Sequence, residues 1–182
     1  FVSLGGRVHF GASGAARPEG DHVVIDCTGL AAREALRELR GVKGEMLVLR
    51  SKEITLNRPV RLVDPRIPAY IVPRPNGVFM VGATMIESDD SNRVTARSVL
   101  ELLSAACSLH PAFAEAEILE MGTQVRPAFA DNMPRIVRRA DRIYINGFFR
   151  HGFLLAPAFA QMAADAVLTG ESCPQVAHED HA

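Results

Sequence analysis

"INGFFRHGFLLAPAFAQMAADAVLTG", residues 145–170, decides how the chain is read. Its front belongs to "RIYINGFF" (142–149), which reads as a buried strand. Its back reads as a helix over 153–169 that Gly170 stops. Between them stand Arg150, His151 and Gly152. A charge in so apolar a passage is costly unless something pairs with it. Either Arg150 escapes to water, the commoner arrangement, or an anion meets it. Gly152 favours the second reading, because a glycine lets backbone approach a ligand closely. The helix that follows turns its partially positive N-terminus on the same spot.

A similar unit lies near the other end. "HVVIDCTG" (22–29) reads as a strand and "LAAREALRELRG" (30–41) as a helix. Ala32, Ala35, Leu36 and Leu39 share one helix face, and Gly41 is its stop. From Val42 the character changes. "EMLVLRS" (45–51), "RPVRLVD" (58–64), "AYIVPRP" (69–75) and "GVFMVGAT" (77–84) are four strands in succession. Asn76-Gly77 marks a hairpin turn, so the sheet is expected to be mainly antiparallel. "VTARSVLELLSAACSL" (94–109) is a helix with Val99, Leu102, Leu103 and Ala106 on one face. "AEILEMGTQVRPAFADNMPRIVRR" (116–139) opens as a strand and turns irregular around Arg126-Pro127. At the start, Gly5-Gly6 reads as a helix stop and "RVHF" (7–10) as a strand. "GASGAARPEGD" (11–21) is a loop without the spacing of a phosphate fingerprint. The last dozen residues read as a frayed tail.

Composition narrows the function classes. The 182 residues are 48% hydrophobic and 23% charged, as expected of an ordinary globular chain. A net charge of −1 gives no broad electrostatic case for nucleic acid or an anionic membrane. No apolar stretch approaches the ~20 residues of a spanning helix; the longest, 153–168, contains Pro157, Gln161 and Asp165. Three scattered cysteines fit a reducing cytoplasm better than a disulfide framework. No histidines pair at metal-ligand spacing, and no metal site is expected.

Arg126 precedes a proline and therefore sits in extended backbone. Its guanidinium would project from a fixed point, either into a surface ion pair of little worth or onto a carboxylate with two parallel hydrogen bonds. Tyr70 lies within an apolar strand, where a core tyrosine is the usual finding. Met85 follows "VGAT" and is more often packing than pocket lining.

Four fragments in order, "DCTGLAA", "YIVPRPNGVFMVGATMIE", "GTQVRPAFADNMPRI" and the stretch quoted first, resemble the C-terminal part of FAD-dependent D-amino-acid oxidases, with glycine oxidases of thiamine biosynthesis most alike. The resemblance implies a mixture of α/β and α+β structure. Residues 1–41 and 122–182 would form a partial FAD-binding domain, and 42–121 a mainly antiparallel-sheet substrate domain. Arg126 matches the arginine that binds the substrate carboxylate, and Tyr70 the tyrosine that helps hold it. Met85 matches a residue that closes the pocket over a small substrate. Arg150 matches a second arginine near the flavin and the site entrance. Gly147, Gly152, Phe153 and Leu154 fall where the family's backbone borders the isoalloxazine ring, and Gly29 where it passes close to the cofactor.

The implied reaction takes a small amino acid and oxygen to an imine and hydrogen peroxide. The rivals are a flavin amine dehydrogenase, a sarcosine-type oxidase, or a domain that kept the fold and lost FAD. Family members often form dimers or tetramers. The dinucleotide fingerprint GxGxxG is not in these 182 residues. The chain is therefore expected to be the back portion of a longer protein and inactive by itself.

Overall fold

The computed structural model describes residues 1–11, 22–64, 68–139, 142–170 and 176–178. The strands are β1 (Val24–Asp26), β2 (Arg40–Arg50), β3 (Val60–Leu62), β4 (Ala69–Arg74), β5 (Val78–Gly82), β6 (Ile86–Glu87), β7 (Glu117–Ala128), β8 (Arg135–Arg139), β9 (Arg142–Asn146) and β10 (Val176–His178). Two α-helices join them, α1 (Ala96–Leu109) and α2 (Gly152–Thr169). They divide into two sheets, one fully antiparallel and one mixed, as a combined α/β and α+β architecture requires.

The larger sheet runs β3-β4-β5-β2-β6, with β7 along the other side of β2. The hairpin β4–β5 turns where the sequence places it. Asn76 and Gly77 both take positive φ, 64° and 67°, conformations suited to Asn and Gly. A side chain at Gly77 would strike the Ser51 carbonyl. Helix α1 starts at Thr95, whose hydroxyl accepts from the Ser98 N–H, and lays Leu102 and Ala106 on this sheet. They join Leu47, Leu49, Ile71, Val81, Phe79 and Phe113, the last two meeting edge to face at 5.3 Å. Each large side chain so buried contributes roughly 1.5–3 kcal/mol.

The smaller sheet runs β1-β9-β8-β10, with β1 parallel to β9 and β10 parallel to β8. Helix α2 covers it with Phe159 and Ala163, which pack with Ile136, Ile143 and Ile145. Leu155 and Met162 pack beside them half-buried, and the opposite face of the helix is open, with Phe153, Leu154 and Leu168 strongly exposed. By length and composition α2, 18 residues of mean hydropathy 1.3, would reach across a bilayer, which the sequence reading did not anticipate.

Four expectations are corrected. Residues 7–10 form no strand. The helix expected over 30–41 is a six-residue 3-10 turn, Gly29–Glu34. Its apolar face is real, since Ala32, Leu36 and Leu39 are buried against Phe129 and Val137. The chain nevertheless becomes extended at Arg40, because β2 pairs with β7 from Arg40↔Ala128 onward. Gly41 is thus inside a strand, not at a helix end. The third correction is β7, which runs unbroken through Arg126-Pro127. Pro127 is tolerated because β2 is the only strand that pairs with β7 among the described residues, leaving one edge without a ladder to break. The fourth concerns the tail, where Val176–His178 pair with β8. The 11–21 loop lies almost wholly outside the described residues. The boundaries expected at 41/42 and 121/122 fall inside the paired strands β2 and β7.

Candidate active site

Three strands and one turn bring the candidate residues together. Tyr70 stands on β4, Arg126 on β7, and Arg150 in the turn between β9 and α2. All three line one hollow of about 340 Å³, together with Arg61 from β3 and His151. Two backbone links fix this convergence. The Phe149 N–H donates to the Pro127 carbonyl at 3.1 Å, tying the Arg150 turn to the residue after Arg126. Phe149 holds a positive φ of 52°, a conformation costly for an aromatic residue and typical of functional turns. Asn146 at the end of β9 donates from Nδ2 to the Gly29 carbonyl at 2.8 Å. Gly29 and Gly147 therefore sit side by side at the carboxyl ends of the parallel strands β1 and β9. That edge of an α/β sheet is where ligands are usually received.

Arg126 is half-buried, and burial pulls its pKa down from the ordinary value; the nearby Tyr70 opposes that shift and the Arg150 charge adds to it. Nη1 donates to the Thr84 carbonyl at 3.2 Å. No carboxylate pairs with it among the described residues, whereas Arg33, Arg40, Arg135 and Arg142 all have one. A guanidinium has five donors and cannot shed its charge. Arg126 is thus a fixed cation with unspent donors facing a cavity.

Arg150 answers the question its sequence posed: it opens onto that cavity, and Nη1 donates to Met85 Sδ at 3.2 Å. Met85 is half-exposed and lines a second, neighbouring hollow of about 590 Å³ with Thr84 and Ala83. It touches the site through Arg150. Gly147 takes φ +80°, and a side chain there would overlap the Phe129 ring. Gly152 opens α2, which starts without a side-chain cap, while the Leu154 and Leu155 N–H groups donate to the His151 carbonyl. Phe153 and Leu154 stand exposed on the same turn and do not line the hollow.

Three residues that sequence reasoning missed hold or complete the site. Arg61 joins the lining. Thr84 orients Arg126 with its carbonyl, and its hydroxyl accepts from the Glu45 N–H at 2.9 Å. Gly44 leaves room: a Cβ there would overlap the Arg126 guanidinium. Glycine inside a strand signals close approach by another group, and that signal was present in "RGVKGE" (40–45). Gly44→Ala is therefore expected to displace Arg126 while preserving the fold, because a long side chain yields more easily than backbone. Affinity for a simple carboxylate such as acetate should fall several-fold with little change in the denaturation midpoint. An unchanged acetate affinity would show that the guanidinium does not need this gap.

Comparison with known proteins supplies a family. Residues 2–166 match the family model described as FAD dependent oxidoreductase. A protein of Rhizobium etli named as a thiamine biosynthesis oxidoreductase, ThiO, is 52% identical over 93% of this chain and 51% of its own length. A glycine oxidase of Bacillus licheniformis is 37% identical over 70% of this chain and 34% of its own. Among solved structures, glycine oxidase from Geobacillus kaustophilus superposes with a TM-score of 0.71 at 28% identity, over 83% of this chain and 42% of that one. The chain thus spans about half, or less, of the length of these relatives.

Proposed function

The chain belongs to the FAD-dependent oxidoreductase family, and on that premise we propose that it carries the substrate-holding half of an enzyme that oxidises a small amino acid, glycine or a D-amino acid, to its imine, as a cytoplasmic step of thiamine biosynthesis. The observation that supports this most is the half-buried Arg126, without a carboxylate partner among the described residues, sharing one hollow with Tyr70. A fork with spare donors in a concave, partly dry site suits a carboxylate gripped by two parallel hydrogen bonds. The free thiols of Cys27 and Cys107 suit a reducing compartment.

The cofactor has a plausible seat on this chain's own terms. Gly29 and Gly152 are half-exposed at one edge of the smaller sheet, Gly147 is buried beside them against the Phe129 ring, and α2 begins there without a side-chain cap. Its N-terminal dipole favours negative charge beside Gly152 and Phe153. FAD, when bound, supplies the two-electron acceptor and passes the electrons to oxygen, giving hydrogen peroxide. The protein's part is orientation. Arg126 and the Tyr70 hydroxyl hold the carboxylate, which fixes the direction of the α-C–H bond. Arg150 and Met85 border the entrance. Residues 1–41 and 122–182 contribute to the FAD-binding domain and 42–121 form most of the substrate-binding domain, with β2 and β7 crossing between them. The exposed apolar residues of α2 and β1, Phe153, Leu154 and Ile25 among them, are the face on which the rest of an FAD domain would pack.

Oxygen uptake by the whole protein with FAD is the direct test. Glycine and small D-amino acids should drive uptake with stoichiometric peroxide. Uptake with sarcosine alone, or flavin reduction without uptake, would favour the sarcosine-type or dehydrogenase alternatives. A holoprotein whose flavin no amino acid reduces would overturn the reading.

A further inference from the structure

We propose that Arg61 makes the hollow a two-anion site, so that the enzyme prefers amino acids bearing a second acidic group close to the α-carboxylate. The proposal rests on the amino-acid reading above and names the substrate class for it. Arg61 and Tyr70 are directly opposed in the β3–β4 ladder. Opposed residues in an antiparallel pair emerge on the same face with Cβ atoms about 4.5–5.5 Å apart. Arg61 therefore reaches the space into which Tyr70 points, and both line the hollow with Arg126, Arg150 and His151.

The charge there exceeds what one carboxylate needs. Among the described residues the hollow has three guanidiniums, permanently cationic, and no acidic residue in its lining. Arg126 with Tyr70 satisfies one carboxylate. Arg150 is engaged with the Met85 sulfur. Arg61 has no carboxylate partner among the described residues, and its edge-strand position leaves the side chain free to turn inward. At about 340 Å³ the cavity also has room beyond a two-carbon substrate.

Acetate and malonate, which cannot be oxidised at an amine, differ by the one carboxylate in question. They would be titrated into the FAD-loaded whole protein and followed by the flavin absorbance change. Malonate should bind about tenfold or more tightly than acetate, a margin that shrinks as salt rises. Arg61→Met should remove most of that margin while the denaturation midpoint stays near the natural value, since Arg61 is exposed and outside the core. With substrates, the D-aspartate to D-asparagine ratio of kcat/KM should fall in the same variant. Equal binding of the two anions by the natural protein, or a malonate preference that survives Arg61→Met, would overturn the proposal. Silence of the flavin toward acetate, malonate and glycine alike would instead defeat the amino-acid reading, and this proposal with it.

Discussion

Arg126→Ala is expected to lower kcat/KM for glycine on the order of 10²–10³-fold in the FAD-loaded whole protein, the cost of removing one partner from a partly buried charged pair. The loss should appear mainly in KM if the carboxylate is held equally in ground and transition states, and in kcat as well if the grip aims the α-C–H bond. Arg126→Lys should recover only part, because an ammonium cannot reproduce two parallel hydrogen bonds from a planar fork. Tyr70→Phe should fall between the natural protein and Arg126→Ala, having lost one hydrogen bond and no charge. The expectation has a structural reason beyond charge. Arg126 is held by the Thr84 carbonyl and confined by the space over Gly44, so its remaining donors are aimed before substrate arrives. Steady-state kinetics that leave Arg126→Ala unchanged would remove the residue from the site.

How much of this could be read from the chain depended on punctuation and period. The β4–β5 hairpin was legible because Asn76-Gly77 supplies two positive φ angles between strands, α1 because its apolar residues share one face, and α2 because its apolar run is stopped by Gly170. The failures have a common cause, tertiary pairing overriding a local pattern. Residues 30–41 carry a sound amphipathic helix pattern, yet pairing of Arg40 with Ala128 draws the chain out into β2. The run "RIVRR" escaped notice as a strand because three of its five residues are arginines. It holds as β8 because β9 and β10 flank it on both sides and Ile136 and Val137 are buried.

The site was legible in a different way. Tyr70, Arg126 and Arg150 are spread over 81 positions of the sequence, and nothing in their spacing says that they meet. Their juxtaposition comes from the long β2, which carries β7 on one edge and the β4–β5 hairpin on the other. Family resemblance pointed to those residues; it did not point to Arg61, whose register opposite Tyr70 exists only once β3 is paired. Gly44 could have been suspected as a mid-strand glycine, but its neighbour could not have been named.

Glu45→Ala is expected to be the most destabilising single change, by about 3–5 kcal/mol, because it leaves the Lys43 ammonium buried without its counter-charge. Lys43 and Glu45 are 4% and 0% exposed and lie two residues apart on β2, Nζ to Oε1 2.9 Å. Glu45 also accepts from the Thr95 N–H at 3.0 Å, at the start of α1, where a carboxylate complements the helix dipole. Lys43 Nζ donates to the Arg93 carbonyl at 2.6 Å. The pair thus pins α1 and the segment before it to the larger sheet. Replacing both residues, Lys43→Met with Glu45→Leu, should cost less than Glu45→Ala, since no charge is then stranded. Burial alone would push the Glu45 carboxyl up, but hydrogen bonds from Ser98, Lys43 and the Thr95 N–H, with the Lys43 charge, hold its pKa below the ordinary value. A folded-state pKa below the unfolded one means stability that is complete above the unfolded pKa of about 4.3 and lost as pH falls through the folded pKa. Denaturant unfolding from pH 7 to pH 3 should show this fall in the natural protein and a shallower one in the double variant. The link to the site is separate from the carboxylate: the Glu45 backbone N–H donates to the Thr84 hydroxyl, and the Thr84 carbonyl accepts from Arg126. That contact is through backbone and survives in the double variant, so its KM for glycine should stay near the natural value. A double variant as unstable as Glu45→Ala would show that packing around β2, and not the stranded charge, sets the cost.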